Sequence, residues 1–292
     1  MPYAPSVSKE RTRRPWTAVG AAMLCLAVPA LCQPKDALPR QPQPPTTPRT
    51  EDRILFSTNR DGNFELYIMT PDGQWLQRLT NTPQVQETDP CWSPNAQKIA
   101  FECDEIEIWT MWADGSGRMK LTRGRDPSWS PDGNRVVFSD TRHGNPELYT
   151  ISIDDVLVRL TVTMAAETNP AWSPDGERLA FVSDRDGQNE IYVMNADGSN
   201  VRALTEKLDR TPAGMLWSPD GTGLYFNVEN EGSRNLYFVS LKGDIRVVTK
   251  GAHVLTMSDL GKNFMAVGTA TSSLKPNDIV TFDVRTPAIR QL

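Results

Sequence analysis

The sequence predicts an all-β protein, a six-bladed β-propeller of four-stranded antiparallel blades, in which the first blade either has three strands or takes an edge strand from residues before Glu51. Three observations carry this. Trp-Ser-Pro recurs at Trp92, Trp129, Trp172 and Trp217, at intervals of 37, 43 and 45 residues. Leu-Thr, or Val-Thr in the last copy, recurs at Leu79, Leu121, Leu160, Leu204 and Val248. Turn residues punctuate every copy, and a period of about 43 residues is that of a four-stranded blade.

The clearest copy runs from Pro170 to Thr205. Pro170-Ala171-Trp172 is a short strand. Ser173-Pro174-Asp175-Gly176 is a turn in which Pro presets φ, Asp bonds nearby backbone and Gly takes φ > 0. Arg178 to Ser183 is an apolar second strand, followed by a polar loop through Gly187. Ile191 to Met194 is the third strand, an Asp-Gly hairpin turn follows, and Val201 to Leu204 is the fourth. Such a meander leaves two faces bare, and stacking copies about an axis covers them. The second strand's Phe precedes the third strand's first polar residue by nine positions in Phe56/Glu65, Phe138/Glu147, Phe181/Glu190 and Phe226/Asn235. The second copy is trimmed, with six between Phe101 and Glu107. Six units follow, at 53–80, 90–122, 127–161, 170–205, 214–249 and 254–292, or about 23 strands.

Residues 1–32 read as a signal peptide: a basic stretch at Lys9, Arg11, Arg13 and Arg14, then an uncharged apolar run from Trp16 to Leu31 that is short for a membrane span. Leu31 before Cys32 argues against lipid attachment, which wants a small residue there. Residues 33–50 are a Pro-rich spacer, and 51–292 form the propeller. The expected location is therefore periplasmic or secreted, with no membrane span after cleavage. Residues 1–50 carry a net charge of +5, so the body carries −10 of the whole-chain −5. An acidic body gives no footprint for nucleic acid. Cys91 and Cys103 flank one turn, and both a disulfide and two buried thiols stay open. A tight turn near Asn95 would set Cys91 opposite Ala100 and point Cys103 to the other face.

No catalytic constellation, metal set or cofactor motif is found. The two histidines, His143 and His253, fall on units three and six, across the ring. The acids that open third strands, Glu65, Glu107, Glu147, Glu190 and Asp278, are expected to satisfy local backbone donors or to pair with an Arg of the next blade. The repeated tryptophans are expected between blades. Trp75 and Trp112, near hairpin turns, are candidates for exposure. What is left is a rigid scaffold with loops, and loops carry binding residues. One rim, made of the loop after the second strand and the linkers between units, carries Asn59, Arg60, Asp61, Glu87, Arg123, Arg125, Arg142, His143, Asp184, Arg185, Asp186, Asp209 and Arg210. Its mixed charge suits a protein partner.

Trp-Ser-Pro-Asp-Gly at 172–176 and 217–221, followed by a Phe strand, an Ile-Tyr or Leu-Tyr strand and an Asp-Gly turn, resembles the WD-repeat-like propeller repeat of the TolB family. The resemblance covers residues 53–292, the propeller part only. It implies a cell-envelope protein that binds a lipoprotein partner and does no chemistry. A monomer is expected. The alternative is a propeller enzyme, hydrolase or lyase, or a carbohydrate-binding propeller.

Overall fold

The structure is a computed structural model, and it describes residues 53–104, 106–272 and 275–291. The signal peptide and the spacer lie outside the described residues, as does any strand that residues before Glu51 would add.

Twenty-three strands form six successive antiparallel meanders. The first has β1 (Ile54–Thr58), β2 (Glu65–Met69) and β3 (Leu76–Arg78). The second has β4 (Glu87–Trp92), β5 (Lys98–Cys103), β6 (Glu107–Trp112) and β7 (Met119–Arg123), and the third β8 (Arg125–Trp129), β9 (Arg135–Asp140), β10 (Glu147–Ser152) and β11 (Leu157–Arg159). The fourth runs β12 (Glu167–Trp172), β13 (Arg178–Ser183), β14 (Glu190–Asn195) and β15 (Arg202–Ala203). The fifth runs β16 (Pro212–Trp217), β17 (Gly223–Asn230), β18 (Ser233–Ser240) and β19 (Ile245–Val247). The last has β20 (His253–Leu260), β21 (Met265–Ser272), β22 (Lys275–Asp283) and β23 (Thr286–Gln291), and Arg234 opposite Val254 links it in parallel to the fifth. Six meanders, the first three-stranded, are what the repeat count requires.

Second and third strands are buried on both faces, so they read as continuous apolar runs such as Leu-Ala-Phe-Val in β13. One cross-strand pair repeats at their centre: Phe56 opposite Tyr67, Phe101 opposite Trp109, Phe138 opposite Tyr149, Phe181 opposite Tyr192 and Phe226 opposite Tyr237. Ring centroids lie 5.7–5.9 Å apart in the four Phe–Tyr pairs. The repeated tryptophans do pack between blades: Trp217 donates its indole N–H to the Ala171 carbonyl of the blade before at 3.0 Å. Of the other two, Trp112 is exposed, while Trp75 is half-buried with Arg53 stacked on it at 5.1 Å.

Inner strands are longer than their Pro-x-Trp signal and bulge in one place. The register slips between Thr88 and Cys91, Arg125 and Ser128, Thr168 and Ala171, and Ala213 and Met215. Each slip holds a residue with left-handed backbone: Asp89 (φ 46°), Asp126 (54°), Asn169 (52°) and Gly214 (55°). Asp, Asn and Gly are the residues that tolerate it. Cys91 pairs with Ala100 as the turn predicts, and Cys91 and Cys103 are both free thiols.

The turn after each inner strand is built alike. Asp132, Asp175 and Asp220 accept from a Ser hydroxyl and a backbone N–H, while Gly133, Gly176 and Gly221 sit at φ 69–72°. In the second blade Ala96 holds the glycine place at φ 53°. A Cβ there is strained, so Ala96→Gly is expected to stabilise the protein by about 1 kcal/mol in urea unfolding. Unchanged or lower stability would show that the turn absorbs the alanine without strain.

Candidate functional site

The predicted rim residues part into two groups. One group is committed to the fold. Arg60, Arg142 and Arg185 lie over the Phe–Tyr pair of their own blades, 4.7–5.8 Å from the ring centroids. The next residue caps the same tyrosine: Tyr67 and Tyr192 donate to Asp61 and Asp186, and His143 Nδ1 lies 2.6 Å from the Tyr149 hydroxyl. Arg142 also bonds Asp140 at 2.6 Å and the Arg123 carbonyl at 2.9 Å. Asp184 accepts from the Ala166 N–H at 2.7 Å. Glu87 is fully buried and paired with Arg118, so it is a junction residue and no part of the rim surface.

That junction recurs. The acid opening a third strand stands beside the acid opening the next inner strand, Glu65 by Glu87 and Glu147 by Glu167, and all four are buried. Arg78 reaches Glu65 at 2.9 Å and Arg159 reaches Glu147 at 3.1 Å, while Arg185 pairs with Glu167. Burial pushes Glu87 and Glu167 above the usual carboxylate range, against bonds from neighbouring threonines. Burial acts on Glu65 and Glu147 too, but donors from Thr80, Thr82, Thr161 and Thr163 outweigh it and hold both low. The expectation of an Arg from the next blade is corrected here. Three third-strand acids, Glu65, Glu107 and Glu147, take their cation from their own fourth strand, Glu107 from Lys120 at 2.6 Å. Glu190 has no such cation, because Ala203 stands in that place, and the Asp278 side chain lies outside the described residues.

The second group lies in the open. Asn59, Arg123, Arg125, Asp209 and Arg210 are exposed, with Arg123 held to Thr141 at 3.2 Å and 3.6 Å from Asp140. Arg123 and Arg125 line a cavity of about 860 Å³ with Asp89, Glu102, Asp126 and Asn169. It is formed where the bulged inner strands β4, β8 and β12 meet the ends of β5 and β9, at the mouth of the channel. Asn169 donates to Asp126 at 3.0 Å, Ser139 donates to Asp126 at 2.9 Å, and the Asp126 N–H donates to Glu102. Burial pushes Glu102 up to about 7, and Asp126 and Asp89 add to the push. Asp89 and Asp259, exposed at the concave mouth but hemmed in by protein, are raised in the same direction by desolvation. Asp259, from the last meander, and Asp89 help burial push the Cys91 thiol up to about 12, which leaves it inert. No histidine or cysteine lines the cavity, and the Ser139 hydroxyl is buried. Among the described residues, no three His, Cys, Asp or Glu side chains are placed to hold a metal. The arrangement is a hydrogen-bonding bowl of carboxyl and carboxamide groups beside two guanidinium groups.

The sequence reading missed Asp89, Glu102 and Asp126. For the two aspartates a signal was there: Asp89, Asp126 and the matching Asn169 each precede a proline, three residues ahead of Trp92, Trp129 and Trp172.

Two measurements test these assignments. Arg185→Ala leaves Glu167 buried without its cation, and is expected to cost about 3 kcal/mol in denaturant unfolding. A loss below about 0.5 kcal/mol would mean the junction does not depend on the pair. Glu102 has a raised folded value against an unfolded value near 4.5, so its contribution is full below that and fades as pH rises through about 7. Glu102→Gln should therefore gain stability over wild type between about pH 5 and pH 8 in thermal melts. A constant difference across that range would place the Glu102 titration outside it.

Comparison with known proteins gives a consistent answer. Residues 119–253 match the family model of the TolB beta propeller domain. No curated protein matches the chain. TolB from Acinetobacter baumannii superposes with a TM-score of 0.68 at 22% identity, covering 82% of this chain and 65% of its own length. Oligogalacturonate lyase from Vibrio parahaemolyticus superposes at 0.59 with 17% identity, covering 82% and 74%. A puromycin-hydrolyzing peptidase from Mycobacterium tuberculosis does so at 0.59 with 17% identity, covering 82% and 44%. This chain thus spans just under two thirds of that TolB. With a repeat, a topology and a family match that agree, the fold is a TolB-like β-propeller.

Proposed function

We propose that the protein is a non-catalytic binding module of the cell envelope that receives a protein partner at the channel mouth. The observation that carries this reading is the cavity of about 860 Å³, walled by acids on bulged inner strands and edged by Arg123 and Arg125. A pocket on a rigid scaffold, with charge of both signs around it, selects a partner by electrostatic complementarity. The basic start followed by an apolar run supports export, and the likeness to TolB supports an envelope location and a lipoprotein as partner. No helix among the described residues is long and apolar enough to cross a membrane. A second reading draws on the acids at the mouth and on the lyase and peptidase among similar structures: a propeller enzyme.

The test is binding of the tagged full chain to detergent-solubilised envelope proteins, followed by titration of the purified partner. Asp89→Asn and Arg125→Glu are expected to weaken that partner roughly tenfold or more each, with thermal unfolding unchanged. Unchanged affinity in both variants would move the partner to another surface. Turnover of an oligogalacturonide or a peptide by the purified chain would favour the enzyme reading.

A further inference from the structure

The exposed large hydrophobic side chains are not spread evenly. Of fourteen among the described residues, six lie within residues 153–164: Ile153 at 60%, Val156 at 59%, Leu157 at 42%, Val158 at 46%, Val162 at 75% and Met164 at 97% exposure. All belong to the outer edge of the third blade, at β11, the hairpin turn before it and the linker after it. Together they leave on the order of 600 Å² of apolar surface in water, the upper end for a lone folded chain.

This edge departs from the repeat. The residue paired to the fourth position of the third strand is Gln77, Arg202 and Arg246 in the first, fourth and fifth blades, and Met119 in the second. In the third blade it is Val158, opposite Thr150. The hairpin Asn-Ala-Asp-Gly-Ser-Asn of the fourth blade is here Ser-Ile-Asp-Asp-Val, one residue shorter and more apolar. Sheet edges are normally guarded by charge, Pro or a bulge, and β11 retains only Arg159, which is turned to Glu147.

We propose that this edge pairs with the same edge of a second copy, β11 against β11 antiparallel, with Val158 of one copy opposite Val158 of the other. The backbone phase allows it. Val158 bonds inward, and the Leu160 N–H donates to the Leu148 carbonyl at 2.8 Å. Leu157 and Arg159 therefore turn their N–H and C=O groups outward, symmetric about Val158. A two-fold axis through Val158 closes four backbone hydrogen bonds between Leu157 of each copy and Arg159 of the other. The side chains are complementary under the same axis. Ile153 and Val156 of one copy meet the Val162–Met164 stretch of the other. Asp154 and Asp155 fall beside Thr161 and Val162 of the other copy and not beside themselves. Two such surfaces bury roughly 1,200 Å² in total, the lower end for a specific interface. The dimer leaves the channel mouth free. It departs from the monomer expected from the sequence.

The test is sedimentation velocity of the full chain over a concentration series. A reversible monomer–dimer equilibrium is expected. Val158→Arg copies the residue of the fourth and fifth blades, sets two like charges face to face, and should weaken the dimer about tenfold or more with unchanged thermal unfolding. Met164→Lys, in the linker, should weaken it too and serves if the strand variant misfolds. A wild-type chain that stays monomeric throughout overturns the proposal. So does a dimer that survives both variants unchanged, or a monomer that uses this edge for a different protein.

Discussion

A four-stranded meander with apolar residues on both faces cannot stand alone in water. That single constraint, the need to bury both faces of every sheet, organises this molecule. It explains why β5, β9 and β13 are apolar at consecutive positions and not at alternate ones. It explains the aromatic cross-strand pair repeated at the centre of the first five meanders, and the tryptophan that reaches from one blade to the backbone of its neighbour. Stacking has a cost at the rim, where strands end between two walls of protein. Polar groups caught there must be paired in place.

The junction acids answer that need. Glu65 and Glu147 accept from backbone and threonine donors at strand ends, where no ladder partner exists. Each then stands close to a second buried acid, and two arginines per junction balance the charge. The loop arginines are drawn into the same work, since Arg185 both neutralises Glu167 and covers the aromatic pair beneath it. A loop so occupied has little left to offer a partner. That leaves the bulges of the inner strands, where Asp89, Asp126 and Asn169 line the cavity, as the surface on which the proposed function rests.

The architecture was legible because its signals are local. Turn chemistry, the nine-residue Phe-to-acid spacing and the Trp-Ser-Pro interval depend on residues within one copy, and the six meanders follow them closely. The absence of a Trp-Ser-Pro before Phe56 marked the first copy as atypical, and the described residues give it β1, β2 and β3. The site was less so. Arg185 read as a free charge because its partner, Glu167, lies on another strand, and Arg142 because its pairing with Asp140, two residues before it, leaves no periodic mark in the sequence. The channel acids were hidden for a different reason. Asp89 and Asp126 precede proline, a pattern that reads as a strand boundary, and only the register slip shows that the strand continues through it. Glu102 sits among apolar residues in β5 and gains meaning only from the Asp126 N–H of the next blade.

Repetition also explains where the molecule is free to differ. A residue at the blade interface touches the next copy, so a change there must be matched across the junction. A bulge meets the bulge before it through side chains, as Asn169 donates to Asp126 at 3.0 Å, and the edge pairing of an outer strand lies within its own blade, so both places constrain the next copy less. The variation is found in those two places: Asp, Asp, Asn and Gly around the mouth, and an apolar edge on the third blade where the first, fourth and fifth carry Gln or Arg. The mouth varies in charge and the edge in polarity, so the first suits a partner chosen by electrostatics and the second one chosen by backbone pairing and apolar fit. Both surfaces stand on strands whose other neighbours are fixed by burial, so either can change without altering the core.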